Sequence, residues 1–372
     1  MSLGPFSLPS PSNNIGTLSL IDRIAAFEWR LENGSEPLTD DRWVLASNLQ
    51  KAIRRGLVST AMGTATKLLA INPQYFWRRL MVIAYEDVGY GNIAACHELL
   101  KTFRREALQR DLGPERVGHY FVHALACATK SRSLCDAMAM LEFSIRKDDY
   151  ERQYNTLAPE QLTDAVCNPA LLVRDRVAAM RCICGYGRFE NGRYRTVIKA
   201  KPDVMRAVCA RAHLSDMEMA LFLSGQNAAE SLNVPIPIIS EMTGASPLTE
   251  ACAPQQFHGV GGVLFAAMDR HTRIGNRCLV KFAQEAPALK HYIESRPTLA
   301  VATVLGVAVF IVEGAALDRW LVFEGHEQLR NDFNESFLEY AGVFGPDKDV
   351  LLELVTNDFP KLNDIRAREF RQ

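Results

Sequence analysis

A short stretch between positions 258 and 277 carries side chains that could bind an anion or transfer a proton. Glycines accompany the start of a predicted helix over 260–271, and backbone N–H groups at such a start can bind anions. A carboxylate, imidazoles and guanidinium groups could support general acid–base chemistry. The alternative is a tight turn and a hydrogen-bond network that fixes a corner between two helices. The candidate anion- or ligand-binding residues are His258, Asp269, His271, Arg273 and Arg277.

A second stretch, between positions 174 and 211, is strongly basic. It holds ten lysines and arginines against three acidic residues. Its glycine-rich loop, 185–201, interleaves aromatic rings with guanidinium groups, a composition that suits phosphate contacts and base stacking. The alternative is that this loop docks on the acidic block 313–339, which holds seven acidic and two basic residues. The candidate nucleic-acid-binding residues are Arg188, Phe189, Arg193, Tyr194, Arg195, Lys199 and Lys201.

Metal-ligating and nucleophilic residue types are present without the spacing that their chemistry needs. His119 and His123 have no glutamate between them, and a single residue separates Cys182 from Cys184. Core histidines and buried thiols are the simpler interpretation. The chain also has no Gly-Lys pair, hence no Walker A loop, and no Gly-x-Ser-x-Gly elbow. We therefore predict no metal, no cofactor and no ATPase activity, and the residues favour a non-enzymatic protein.

The segment 72–89 has the pattern of a well-capped amphipathic helix. Asn72 can cap its start, Pro73 takes the first helical position, and Gly89 predicts its end. Apolar residues recur at helical spacing and predict one buried face. These residues are Trp77, Leu80, Met81, Ala84 and Val88.

Glu86 and Asp87 lie in the last turn of this predicted helix, where negative charge opposes the helix dipole. We therefore expect a cationic partner for them, with Arg78 and Arg79 as the candidates. The predicted oligomer or packing residues of the segment are Trp77, Arg78, Arg79, Glu86 and Asp87.

These residues resemble the helical region that follows the ATPase module in the replication-associated recombination protein A (MgsA-type) AAA+ ATPases, relatives of clamp loaders. That family has two arginines, an apolar turn, an acidic pair and a glycine there, matched here by Arg78 and Arg79, then Glu86, Asp87 and Gly89. The helices over 49–54 and 61–69 resemble the preceding pair, so the similarity covers about 45–110. It implies an all-helical oligomerisation collar associated with DNA replication and repair, here without the ATPase module.

Composition sets the broad class of the chain. Its 372 residues carry 42 basic and 43 acidic side chains, so the net charge of −1 provides no general attraction to nucleic acid or membranes. Nine cysteines, and a start unlike a secretory signal, indicate reduced thiols in the cytoplasm. The apolar run 298–312 is too short to cross a membrane, so it predicts a core or interface helix and no membrane partner.

Long helical patterns dominate from residue 18 onward, and strand patterns are confined to 194–198 and 234–239. The predicted fold is mainly α, a multi-helical bundle or collar-like body that forms one unit or two helical subdomains. We predict a flexible tail over 1–17, a helical domain over 18–232, a Pro-rich connection over 233–254 and a C-terminal helical domain over 255–372.

These observations together favour a non-enzymatic helical protein that oligomerises and binds. Its expected partners are copies of itself, replication, recombination or repair proteins, and DNA. One alternative is an enzyme that acts on a phosphorylated or nucleotide substrate through the 258–277 region. The other is a structural protein that binds only other proteins.

Overall fold

A computed structural model describes residues 18–31, 36–103, 105–186, 189–190, 193–194, 200–228, 231–244, 248–251 and 258–372. Within these residues α-helices far outnumber strands, which confirms the predicted mainly α fold. The predicted tail, 1–17, lies outside the described residues.

The helices of the first half begin with α1 and end with α11. Their bounds are α1 Leu20–Ala25, α2 Arg42–Arg54, α3 Val58–Ile71, α4 Pro73–Ile83, α5 Ile93–Phe103, α6 Glu106–Leu112, α7 Pro114–Cys127, α8 Ser133–Glu142, α9 Lys147–Asn155, α10 Pro159–Val166 and α11 Val173–Cys184.

The remaining helices run from α12 to α20. Their bounds are α12 Pro202–Arg211, α13 Asp216–Ala228, α14 Ile236–Thr243, α15 Arg273–Glu285, α16 Pro287–Glu294, α17 Val301–Val309, α18 His326–Tyr340, α19 Asp347–Asn357 and α20 Phe359–Phe370. Short 3-10 helices lie at Gly89–Gly91, Ser231–Asn233 and Phe265–Ala267.

The strands are short and form three antiparallel pairs. β1 (Phe189–Glu190) pairs with β2 (Arg193–Tyr194), β3 (Leu248–Ala251) with β6 (Arg319–Val322), and β4 (Gly259–Val260) with β5 (Val263–Leu264). The predicted helix over 260–271 is wrong, because Gly261 and Gly262 both adopt positive φ angles and close the β4–β5 hairpin.

Residues 234–239, read as a strand pattern, instead begin the buried helix α14. Prolines 235 and 237 are compatible with a helix start, where the backbone N–H is not needed for an intrahelical bond. The structure therefore places a buried helix inside the stretch predicted as a Pro-rich connection. Apolar side chains from both sides of this stretch belong to one core, although the division into two domains stays a prediction.

The apolar run 298–312 supplies α17, and its side chains Val304, Leu305 and Val307 are fully buried. Helix α17 packs against α15, α18 and α19. Its predicted place in the core is confirmed. Among the described residues, no helix has both the length and the apolar character that a membrane crossing needs.

Two helices end in a π-helical turn, which is a rare conformation that often marks functional sites. One turn, Ala84–Val88, continues α4, and the other, Phe310–Gly314, continues α17. Helix α2 contacts both α4 and the first π turn. The two π turns and α2 are the framework of the site described next.

Candidate ligand-binding site

Several polar side chains of helix α2 lie on a buried face of the helix. Asp41 caps its start by accepting hydrogen bonds from the backbone N–H groups of Trp43 and Val44. Leu45, Leu49 and other apolar side chains pack into the core, yet polar and charged side chains of α2 are also buried. Burying a charge is costly unless it is paired and hydrogen-bonded. The buried polar side chains of α2 are Ser47, Asn48, Gln50, Lys51 and Arg54.

Arg54 is the most completely buried of these cations, with a side chain 1% exposed. Its Nε donates to Asp87 Oδ1 at 2.6 Å, and Nη2 donates to Glu86 Oε1 at 3.2 Å. Arg132, beside the start of α8, donates to the same two carboxylates at 3.0 and 3.3 Å. Two arginines and two carboxylates thus form a closed network, with Asp87 fully buried at its centre.

Arg54 also joins the two π turns. Its Nη1 donates to the carbonyl oxygen of Gly314 in the second turn, while its other nitrogens reach the acidic pair of the first. Burial alone would raise the pKa of Glu86, but Arg132, Arg54 and nearby cations lower it to about 2. Glu86 is therefore ionised and holds the two arginines in place.

One turn earlier on α2, Lys51 makes an ion pair with Asp269. Ser47 Oγ donates to Asp269 Oδ2 at 2.9 Å, and Lys51 Nζ donates to Ser47 Oγ at 3.1 Å. The backbone N–H of His271 donates to the other oxygen, Oδ1, at 2.9 Å. Burial opposes ionisation, but Lys51 and His271 lower the pKa of Asp269 to about 2.

A third buried pair comes from the C-terminal helix. Arg366 of α20 is fully buried, and its Nη1 donates to Glu313 Oε2 at 2.9 Å and to Asn363 Oδ1 at 3.1 Å. Glu313 belongs to the second π turn. Three cationic side chains from α2 and α20 are therefore each held by a carboxylate from a different segment.

These groups surround a cavity of about 470 Å³, a volume within the range of about 300–1,000 Å³ that small-molecule sites occupy. Its wall is more basic than acidic. The basic lining residues are Lys51, Arg54, Arg79, Arg132, Arg270 and Arg366. The acidic lining residues are Glu86, Asp269 and Glu313.

Three further charges lie behind this wall: Asp87 and Arg55 offset each other, and Asp136 pairs with Arg132 at 3.5 Å. Asp87 contacts Arg54 and Arg132, and Arg55 donates from Nη2 to the Glu313 carbonyl at 2.8 Å. The lining residues therefore carry an excess of three positive charges, which an ionised Asp136 reduces to two. The electrostatic field of the cavity favours an anion.

Three of the lining arginines keep hydrogen-bonding capacity that the described residues do not use. Arg79 donates from Nη2 to Gln50 Oε1 at 2.6 Å, but its buried Nε has no partner there. Arg366 likewise has no partner for Nε and Nη2, the two nitrogens of one guanidinium edge. Arg270 donates from Nε to His271 Nε2 at 3.4 Å, and it forms no ion pair with a described carboxylate. Such edges suit the planar, bidentate recognition of phosphate or carboxylate groups.

The structure divides the residues predicted as an anion site between positions 258 and 277. Asp269 and His271 line the cavity. His258 and Arg273 are exposed, and Arg277, which is also exposed, pairs with the buried Glu369 at 3.5 Å. The last three are not among the lining residues, because the β4–β5 hairpin replaces the predicted helix and α15 directs Arg273 and Arg277 away from the cavity.

The predicted packing residues of the segment 72–89 also separate. Trp77 and the rest of the apolar stripe are buried as predicted, whereas Arg78 is exposed and Arg79 lines the cavity. The predicted ion pairing of Glu86 and Asp87 with Arg78 or Arg79 is wrong. Arg54 and Arg132 form the ion pairs with these two carboxylates instead. Arg79 reaches the acidic pair through Gln50, whose Nε2 donates to Asp87 at 3.0 Å.

Most of the predicted nucleic-acid loop lies outside the described residues. Arg188, Arg195 and Lys199 are not described, and Phe189, Arg193 and Tyr194 are described only as the backbone of β1 and β2. Lys201 precedes α12, and its backbone N–H donates to the Ile183 carbonyl at 2.9 Å. The DNA-binding interpretation of this loop stays a prediction.

The histidines considered as metal ligands make protein contacts. His119 Nε2 lies 2.8 Å from Thr66 Oγ1, Nδ1 lies 2.7 Å from the Glu115 carbonyl, and the ring stacks on Trp29. His123 lies beside Cys127, with Nε2 3.8 Å from Sγ. Within the part of the chain that the structure describes, no three His, Cys, Asp or Glu side chains are grouped as a metal site.

A buried carboxylate next to the cavity gives the protein a testable pH dependence. Burial raises the pKa of Asp136 to about 6, although Arg132 and Arg330 oppose the shift. Because this pKa is above the unfolded value of about 3.9, folding is favoured as the pH falls from about 7 to 4, by up to about 3 kcal/mol. Glu86 and Asp269 act in the opposite direction, since their low pKa values make stability fall between about pH 4 and 2.

We expect Asp136→Asn to remove the gain in the free energy of unfolding between pH 7 and 4. Urea unfolding at several pH values measures this slope, and the absolute loss caused by the substitution does not enter the comparison. Equal slopes for the variant and the parent protein would contradict the assignment of this titration to Asp136.

No family model, curated protein or solved structure matches the chain.

Proposed function

We propose that this protein binds a small anionic ligand, one that carries phosphate or carboxylate groups, in the cavity beside α2. The observation that carries the proposal is the set of arginines with unused donors in a wall of excess positive charge. Arg79 and Arg366 have buried N–H groups without described partners, and Arg270 has no described carboxylate partner.

The internal carboxylates support a binding role because they fix some cations and leave others available. Lys51 is held by Asp269, and Arg54 is held by Glu86 and Asp87. A ligand anion would therefore meet cations whose positions are already set, which reduces the entropy cost of binding. It would also pair charges that are otherwise expensive to keep buried.

Thermal unfolding in a matched series of salts tests the proposal. We expect phosphate, pyrophosphate or citrate to raise Tm when ionic strength is held constant with chloride. A ligand at a hundred times its Kd stabilises the folded state by about 2.7 kcal/mol. The proposal fails if all these anions shift Tm no more than chloride does.

Substitutions of Arg79 and of its neighbour Arg78 test whether the anion binds in the cavity. Arg79→Gln should weaken anion binding by about 10-fold to 100-fold, because hydrogen bonds to charged groups contribute about 1.5–3 kcal/mol. Arg78→Gln is the matched control, since Arg78 is adjacent in sequence but exposed. Titration calorimetry of both variants measures the Kd. Equal affinities for the two variants would place the anion elsewhere.

A second proposal, that the protein is a collar-like oligomer of replication, recombination or repair machinery, rests on the resemblance over 45–110. It is compatible with ligand binding, because Arg78 and other charged side chains of this region face solvent. Light scattering with and without DNA tests it. Arg193→Ala combined with Arg195→Ala should weaken DNA binding without changing the oligomer mass, whereas a changed mass with unchanged DNA affinity would reject the loop's role.

A further inference from the structure

The wall of the cavity also contains a cluster of aromatic rings. Phe143 follows α8, Phe310 begins the second π turn, and Phe333 and Phe337 lie one turn apart on α18. The Phe337 ring centroid lies 4.4 Å from that of Phe143, 5.3 Å from that of Phe333 and 5.8 Å from that of Phe310. One side of the cavity is thus apolar and aromatic.

Guanidinium groups border these rings. The Arg270 guanidinium carbon lies 4.9 Å from the centroid of Phe337, and that of Arg132 lies 5.2 Å from the centroid of Phe310. Arg54 lies 5.7 Å from the same Phe310 ring. A ligand could therefore contact rings with one part and cations with an adjoining part.

Gly306 leaves room for the Arg270 side chain to lie over this aromatic surface. A Cβ atom at Gly306 would come within 2.7 Å of Arg270 Cβ and 2.8 Å of Arg270 Cδ. Because α17 has no side chain at this position, the aliphatic part of the Arg270 side chain packs directly against the backbone of α17. Gly306 and Arg270 both line the cavity.

A further aromatic surface lies on the wall that α2 and α4 form. Trp43 is 49% exposed and packs edge-on against Tyr75, with ring centroids 5.5 Å apart. Both line the cavity, and the guanidinium carbon of Arg42 lies 5.1 Å from the Trp43 ring. An exposed tryptophan on the wall of a basic cavity offers a stacking face to a planar ligand.

From this arrangement we infer that the ligand is a phosphate monoester of a compound with a planar aromatic ring, such as an aryl or nucleoside monophosphate. The inference rests on the proposed function and specifies its ligand class. The aromatic residues provide the surface for the ring, and Arg79, Arg270 and Arg366 provide donors for the phosphate. A dianionic group matches the excess of positive charge better than one carboxylate does, and arginine edges suit its oxygens.

A ligand series on the unmodified protein tests this inference by titration calorimetry. The probes are inorganic phosphate, glycerol 1-phosphate, phenyl phosphate, adenosine 5′-monophosphate, adenosine and benzoate. We expect the two ring-bearing phosphates to bind about tenfold or more tightly than glycerol 1-phosphate, as stacking on aromatic side chains predicts. Adenosine and benzoate should bind more weakly than the phosphates that share their rings.

Each result has a distinct meaning. Equal affinities for glycerol 1-phosphate and phenyl phosphate would overturn the aromatic-ligand inference and leave the anion-binding function intact. Benzoate that binds as tightly as phenyl phosphate would overturn the phosphate assignment. If none of the anions binds, the proposed function fails together with the inference.

Two phenylalanine substitutions test which surface of the cavity stacks on the ring of the ligand. Phe337→Leu and Phe143→Leu should each reduce the preference for phenyl phosphate over glycerol 1-phosphate at least threefold. Phe282→Leu is the matched control, because Phe282 is fully buried but is not a lining residue. Phe143 also separates the effect of the ring from the placement of the cations, since among the described residues the guanidinium groups of Arg132 and Arg270 lie over Phe310 and Phe337 and none lies over Phe143. If a variant fails to fold, the ligand series on the unmodified protein decides the question.

Discussion

Arg54→Met is expected to lower the free energy of unfolding by about 3–5 kcal/mol, because it leaves Asp87 buried beside one arginine instead of two. Arg54 and Asp87 are almost completely inaccessible to solvent, so water cannot replace the lost ion pair. The substitution also removes the donor to the Gly314 carbonyl in the second π turn. Urea unfolding followed by far-ultraviolet circular dichroism measures the loss.

The exposed Arg78 provides the control for this experiment. Arg78→Met should change the free energy of unfolding by less than about 0.5 kcal/mol, as expected for an ordinary surface position. A loss below 1 kcal/mol for Arg54→Met would show that the buried network contributes little to stability.

Asp269→Asn is expected to cost about 3 kcal/mol, since Lys51 would then be buried without its counter-ion. Burial already lowers the pKa of Lys51, and Asp269 opposes that shift. In the variant we therefore expect Lys51 to lose its proton at a lower pH. Unfolding measurements at several pH values should show a loss of stability, relative to the parent protein, that grows as the pH falls from about 10 to 4, because Lys51 must then be charged. The loss should shrink again below about pH 4, where Asp269 of the parent protein also becomes protonated.

A double-mutant cycle with Lys51→Met separates pairing from other effects. The double variant should be more stable than Asp269→Asn alone, because neither charge remains to be buried unpaired. Asp203→Asn, at a position where the carboxylate is 92% exposed, should be close to neutral. Additive losses from the two single substitutions would contradict a direct interaction between Lys51 and Asp269.

The fold class could be predicted from the sequence because helix caps and apolar spacing are local signals. Asn72 caps α4 through Tyr75 N as its position predicts, and Trp77, Leu80 and Val88 form the predicted buried face. Local signals failed where glycine conformation mattered. Gly261 and Gly262 close a hairpin, which the helical period of the neighbouring residues concealed.

The site could be predicted only in part, because its residues meet through tertiary packing. Asp269 and His271 are candidates because of their residue types. Lys51, the partner of Asp269, lies 218 positions away from it. Arg79 and Glu86 were expected to pack or to join subunits, and both line the cavity. Sequence spacing carries no information about which distant segment supplies a counter-ion.

Arg366 lines the cavity but is not among the predicted site residues, although the sequence contains a signal for it. In α20, Leu362, Ile365, Arg366 and Glu369 follow helical spacing and are all buried. A charged side chain on an otherwise apolar stripe indicates a buried pairing partner. That rule would have selected Arg366, and it would also have selected Arg54 at the end of α2.

The position of Arg54 between the two π turns has a consequence for how the molecule opens. A single side chain holds residues 86, 87 and 314, so α2 cannot detach without separating segments from both halves of the chain. Amide hydrogens in the centre of α2 should then exchange with solvent only when the whole protein unfolds, at the slowest rate in the molecule. Segments whose ion pairs are exposed and local, such as α16 with its Lys290–Glu294 pair, would exchange through small local openings.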